Sequence, residues 1–220
     1  MNSFIEIYHQ LTNPEAIIQT GGLFLILLII FAENGIFFGF FLPGDTLLFT
    51  TGLLSSTGTF NVPVYLLLIT ICIAAYLGSM FGYFFGEKTG SNLFTKKDTF
   101  FFKKKYMLAA EAFFIKHGGF ALIMARFLPI IRTFAPIFCG IVRFPYGKFL
   151  LFNIIGGTLW VFTMILGGYI LGQIFPASKE YLEYIIAGIV VITWIPVVIT
   201  YLQERKRAKQ EAADSVHSNH

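Results

Sequence analysis

Residues 33–45 read ENGIFFGFFLPGD, and residues 125–140 read ARFLPIIRTFAPIFCG. Each stretch sets ionisable side chains and a proline break inside apolar sequence. Residues 23–42 form an apolar run interrupted at Glu33 and Asn34. FLPGD at 41–45 breaks it, and a second apolar stretch continues to Leu54 before the polar segment SSTGTFN. Two half-length helices joined at Pro43 and Gly44 are expected, each too short to cross a hydrocarbon core of roughly 30 Å. A re-entrant hairpin satisfies this pattern, because broken backbone at membrane depth must be buried in protein or line a cavity. The stretch 118–140, with turn candidates Pro129 and Pro136, reads as a second broken hairpin.

The composition agrees with a bilayer setting. Of 220 residues, 56% are hydrophobic and only 13% charged, about half the share of a soluble protein. There are 27 Phe and 21 Gly, a pairing that suits helices packed closely in lipid. Residues 62–86 and 147–172 each read as a spanning helix, and residues 182–202 as a third. Gly78, Gly82 and Gly86 recur every fourth residue and form a small-residue packing face. Gly168 and Gly172 repeat that spacing.

Two coincidences indicate duplication. FLP occurs at 41–43 and at 127–129, and a Gly-Tyr-x-x-Gly pattern at 82–86 and at 168–172, both at an offset of 86. The expected organisation is therefore amphipathic helices over 1–22 and one membrane domain over 23–202. Repeat one covers 23–86, an amphipathic insert 87–117, repeat two 118–172, and a last helix 182–202. A tail follows at 203–220.

No Lys or Arg precedes Lys88, and the 16 basic residues cluster between apolar runs. The seven lysines of 87–117 and the group Arg205, Lys206, Arg207 place both segments in the cytoplasm. With Arg143 and Lys148 at the start of the helix from 147, the two repeats face opposite ways. Inverted repeats with broken helices are a secondary-transporter design. A nucleic-acid binder would need a basic face on a soluble domain, and none is visible. The N-terminus lacks a basic n-region and a small-residue cleavage site, so no cleaved leader is expected.

Glu33, Asp45, Arg126 and Arg132 lie where an ionised side chain is costly unless paired or hydrated. The first repeat contributes carboxylates and the second guanidiniums, so apposed hairpins would neutralise the set. A guanidinium fork suits phosphate, and Glu33 and Asp45 are candidate proton carriers or charge partners. The alternative is a static salt-bridge cluster in a structural or assembly factor. An enzyme would need a nucleophile with a base, or a metal cluster, and neither pattern is present. Trp160 and Trp194 read as packing or interface anchors, Asn153 as an interhelical hydrogen bond, and His117 as structural. Tyr83 and Tyr169 are candidates to line a pathway. Cys72 and Cys139 read as small buried hydrophobes.

Glu33-Asn34, FLPGD ending at Asp45, and ARFLPIIRTFAPIFCG together resemble the DedA family, whose domain is also called the SNARE-associated or VTT domain. The resemblance covers roughly residues 15–200. It implies a multi-pass protein of the bacterial inner membrane. It carries the family's essential acids onto Glu33 and Asp45 and its essential arginines onto Arg126 and Arg132. It further implies lipid transport, with undecaprenyl phosphate recycling as the leading expectation and no cofactor. Phospholipid scrambling and proton-coupled ion transport are the alternatives.

Overall fold

The computed structural model describes residues 14–36, 39, 42–93, 119–174 and 188. The segment before Pro14, most of the lysine-rich insert, the last apolar run apart from Gly188, and the tail lie outside the described residues, as do His117 and Trp194. The chain divides into a unit over Met1–Leu182 and another over Glu183–His220. The elements below all belong to the first.

The described elements are all helical. Helix α1 (Pro14–Gly35) is followed by α2 (Gly44–Ser56) and α3 (Val64–Leu93), then by α4 (Phe120–Ala125), α5 (Pro129–Ile141) and α6 (Tyr146–Ile174). Helix α1 bends at Gly22, whose φ of 54° lies in the left-handed region open to glycine. After Gly35 the chain tightens through Gly39 N–H to Ile36 O and Leu42 N–H to Gly39 O, at 2.8 and 2.9 Å. Pro43 then caps α2, with Leu47 N–H donating to its carbonyl at 2.8 Å.

Two helices are long and apolar enough to cross a membrane, at Val64–Thr89 and Tyr146–Ile174. At 1.5 Å per residue, 26 residues of the first extend for about 39 Å, against a core of roughly 30 Å. By the same measure the 13-residue α2 and α5 extend for about 20 Å each. The expected spanning helix over 62–86 in fact continues to Leu93, into the stretch read as insert. Glu87, Lys88 and Thr89 keep helical hydrogen bonding, with Thr89 Oγ1 donating to Phe85 O at 2.7 Å. Pro136, expected at a turn, lies inside α5. Pro129 already makes the break by opening α5, and Pro136 removes the N–H that would bond the carbonyl of Arg132.

The polarity of this unit is opposite to that of a soluble protein. Leu66, Ile69, Ile73, Leu77, Phe81 and Phe84 are exposed along α3, at helical spacing. Leu151, Ile155, Leu159, Phe162 and Ile170 are exposed along α6. Glu33, Asn34, Asp45, Ser79, Arg126, Arg132 and Asn153 are buried. An apolar exterior around a charged interior is stable where the surroundings are lipid.

Packing is reciprocal between the halves. Helix α2 packs on α6 and α5 on α3, while α1 also lies on α3, α4 on α6, and α3 on α6. Glycines permit these approaches. A Cβ at Gly78 would overlap the Phe31 carbonyl, at Gly86 the Ile137 carbonyl, and at Gly168 the Phe49 carbonyl. At Gly172 it would overlap Ser56 Oγ. Gly82 is looser, since a Cβ there would sit 3.4 Å from Pro136 and Ile137.

Candidate functional site

The four intramembrane charges converge at the two helix breaks. Glu33 and Asn34 occupy the last turn of α1, and Asp45 the first turn of α2. Arg126 ends α4, and Arg132 lies in the first turns of α5. These side chains meet because each lies at or within a turn of a helix end that faces the interior.

Arg132 is 2% exposed and spreads its fork over both carboxylates. Its Nη1 donates to Asp45 Oδ1 at 2.6 Å, and its Nη2 to Glu33 Oε1. Trp160 Nε1 donates to the same Asp45 oxygen at 2.7 Å. The Trp160 ring also lies under the guanidinium, 4.2 Å from centroid to Cζ, so one side chain holds both members of the ion pair. Gly44 makes room for this arrangement, since a Cβ there would overlap the Glu33 carboxylate.

Arg126 is held differently. Its Nη1 donates to Asn34 Oδ1, and its Nη2 to Ser79 Oγ and Asn153 Oδ1. Asn34 is oriented in turn by its amide, which donates to Ile30 O at 2.8 Å. These partners are neutral, so three dipoles solvate the Arg126 charge, and among the described residues no ion pair neutralises it. A cavity of about 10 Å³ lies between the two arginines, lined by both and by Asn153, Leu122, Ala135 and Phe149 among others. That volume holds about one water molecule. A tetrahedral phosphate cannot enter it without movement of the hairpins.

Asn153 makes an interhelical hydrogen bond of the kind its position suggested. Of the two readings of Trp160 the packing one holds, since it is fully buried, and it also donates to Asp45, a contact its position did not suggest. Ser79 was hidden as one more small residue beside Gly78. The available signal was spacing. Asn153 and Trp160 are seven residues apart and therefore share a helix face, which the arginines meet. The tyrosines diverge. Tyr83 stacks on Phe149 at 4.8 Å and donates to Phe144 O at 2.6 Å. Tyr169 lines an open groove of about 470 Å³ with Ser55, Phe60 and Tyr65. Among the described residues no group of His, Cys, Asp and Glu is arranged to hold a metal.

The family model of the VTT domain matches residues 42–170, more than half of the chain. The chain belongs to the DedA family. It is 37% identical over 188 residues to the protein DedA of Escherichia coli (strain K12), covering 86% of this chain and 85% of that protein. An uncharacterized membrane protein of Mycobacterium leprae is 39% identical over 205 residues, with 91% and 90% covered. The inner membrane protein YqjA of Escherichia coli (strain K12) is 33% identical over 193 residues, with 87% and 84% covered. No solved structure matches. As a DedA-family chain this is a multi-pass protein of the bacterial inner membrane. Its family is one of membrane transporters with a general lipid or ion transport role, and it is not an enzyme.

Proposed function

We propose that this protein moves undecaprenyl phosphate between leaflets, with Arg126 and Arg132 receiving the phosphate and Glu33 and Asp45 as displaceable charge partners. One observation carries the reading: a fully buried Arg132 fork engaged by two separate carboxylates at the junction of two broken helices. The carboxylate oxygens occupy the two directions that two oxygens of one phosphate would occupy in bidentate recognition. A phosphate arriving from the interface displaces them without changing the geometry of the fork. Stripping water from phosphate is too costly for passage through bare hydrocarbon, and the guanidiniums replace that hydration while the polyprenyl tail remains in lipid.

Charge balance favours a monoester over an ordinary phospholipid. The arginines carry two positive charges, and a phosphate monoester carries about −1.5 to −2 near neutral pH. The loaded site is then near neutral when both displaced carboxylates have taken up protons. A phosphodiester carries a single negative charge and balances less well. Proton uptake on loading couples lipid transfer to the proton gradient. The reciprocal packing of α2 on α6 and α5 on α3 supports an inverted-repeat framework, in which two re-entrant hairpins part and close around this site.

The test is flux with purified protein in liposomes, across pH, for undecaprenyl phosphate and for a common phospholipid. Wild type should move the monoester faster. Arg132→Lys, which keeps the charge and loses the fork, should lower flux at least tenfold while the protein still folds. Arg126→Ala, Glu33→Gln and Asp45→Asn should each impair it. Normal flux in all four folded variants would refute the site, and equal flux of both lipids would refute the substrate.

A further inference from the structure

The small cavity between the arginines has a chemistry that the lipid-transport reading does not use. Among its lining residues, Arg126, Arg132 and Asn153 carry the polar side chains. Among the described residues, Arg132 Nε and Asn153 Nδ2 are buried donors without a hydrogen-bond partner. Both residues are 2% exposed. The orientation of the Asn153 amide follows from its neighbour. Arg126 has only donors, so the Asn153 oxygen must face Arg126, and the amide nitrogen is left over. The side chains around the cavity therefore offer donors and positive charge, while their one neutral acceptor is already engaged.

We propose that this cavity is a binding site for a small monovalent anion of halide size, held by Arg132 Nε, Asn153 Nδ2 and the charge of Arg126. Three physical points select that ligand. A cation would meet the unpaired charge of Arg126 and two N–H donors, with no free acceptor among the polar side chains of the lining. A water molecule brings two hydrogens that need acceptors, and the lining residues offer at most the Arg132 carbonyl that Pro136 leaves without its helical partner, so one hydrogen stays unsatisfied. A tetrahedral phosphate is too large for about 10 Å³, whereas a halide is close to a water molecule in size. Leu122, Ala135 and Phe149 give the site apolar walls, where the charge of Arg126 attracts an anion and Arg132, its fork already paired with Glu33 and Asp45, offers its Nε–H. The anion satisfies two orphan donors whose desolvation is otherwise uncompensated. It also neutralises Arg126, which has no direct carboxylate partner. It thus acts as a resting counter-ion in a site distinct from the outward fork of Arg132.

The probe is bromide or chloride on the full chain purified in detergent, with ionic strength held constant by gluconate. Wild type should show a saturable rise in its unfolding midpoint with either halide, over and above any rise with inorganic phosphate, which the Arg132 fork receives on the proposed function. Bromide-soaked crystals should show an anomalous peak in contact with Arg132 Nε. Asn153→Asp retains an acceptor for Arg126 and places a fixed carboxylate at the cavity, so the halide response should be lost. Thr163→Ala, on the exposed face of α6 and outside the cavity, should retain the response. A midpoint that follows ionic strength alone, an Asn153→Asp protein responding like wild type, or density accounted for by water would each overturn the assignment. Should Asn153→Asp fail to fold, the anomalous peak decides: a peak at Arg132 Nε supports the assignment and its absence overturns it. Undecaprenyl phosphate flux measured in gluconate separates the two readings. Normal flux without any halide response leaves lipid transport standing and removes the anion site.

Discussion

Removing Arg132 should destabilise the protein far more than removing either acid it binds. In Arg132→Met, Glu33 and Asp45 remain buried with no direct counter-charge, since Arg126 is engaged by Asn34, Ser79 and Asn153. Breaking one buried pair in this way costs about 3–5 kcal/mol, and two carboxylates are stranded here. In Asp45→Asn the Arg132–Glu33 pair survives, and the new amide oxygen can still accept from Arg132 and Trp160. In Glu33→Gln the Arg132–Asp45 pair survives, but the new amide nitrogen enters a place where Glu33 Oε2 has no partner. Each neutralisation should therefore cost about 1–3 kcal/mol, the scale of one weakened charge-assisted bond or one orphan donor. The triple variant Glu33→Gln, Asp45→Asn, Arg132→Met buries no ion at this point. It should recover at least about 2 kcal/mol relative to Arg132→Met, because a neutral set of similar volume avoids the desolvation of charge. The assay is reversible unfolding in mixed micelles followed by helical signal. Arg132→Met no less stable than Glu33→Gln, or a triple variant as unstable as Arg132→Met, would refute a cluster governed by charge balance.

The same unfolding assay should separate the two roles of Trp160. Trp160→Phe keeps a ring beneath Arg132 and loses the N–H to Asp45, for about 1–2 kcal/mol, while Trp160→Leu also loses a desolvated cation–π contact worth about 2 kcal/mol; equal losses would show that the ring contact contributes nothing. Gly44→Ala should force the Glu33 carboxylate off Arg132 and lower lipid flux, and in a Glu33→Ala background the same change should cost nothing further; an additive effect would mean that another contact requires the glycine. Cysteines placed at Lys97 and Lys209 should resist labelling from outside intact cells, and ready labelling of both would reverse the assigned orientation.

Much of the site was legible because charge in apolar sequence is conspicuous. Glu33, Asp45, Arg126 and Arg132 each interrupt an apolar run, and the prolines beside them mark the breaks that collect them. What the sequence withheld was which acid meets which base. Spacing alone allowed Arg126 and Arg132 to be equivalent, whereas packing gives both acids to Arg132 and neutral oxygens to Arg126. That division depends on helix rotation about α3 and α6, which follows from long-range contacts such as Gly78 against Phe31. Trp160 and Ser79 were obscured for a different reason. Trp is common at membrane interfaces and Ser at helix contacts, so neither type stands out until a charge is seen beside it. Pro136 misled in the opposite direction, because proline is tolerated within a membrane helix when neighbours satisfy the freed carbonyl.

The unequal holding of the two arginines also indicates where the site can open. Arg126 ties the end of α4 to α1, α3 and α6 through Asn34, Ser79 and Asn153. Arg132 ties α5 to α1, α2 and α6 through Glu33, Asp45 and Trp160. An incoming phosphate can replace the partners of Arg132 one for one, because it offers the same anionic oxygens in the same fork. It cannot do so at Arg126 without stranding three neutral groups, each of which needs its own partner once buried. On the lipid-phosphate function proposed above, cargo should exchange first at Arg132, releasing α5 from α2 while Arg126 still holds α4 in place. The chain between them, from Arg126 to Pro129, contains the helix break at which, on that proposal, α5 would move without α4. A strap across α4 and α5 at that break should then stop lipid transfer while leaving fold stability intact, whereas a strap between α4 and α6 should leave transfer unaffected. Transfer surviving the first strap would place the movement elsewhere.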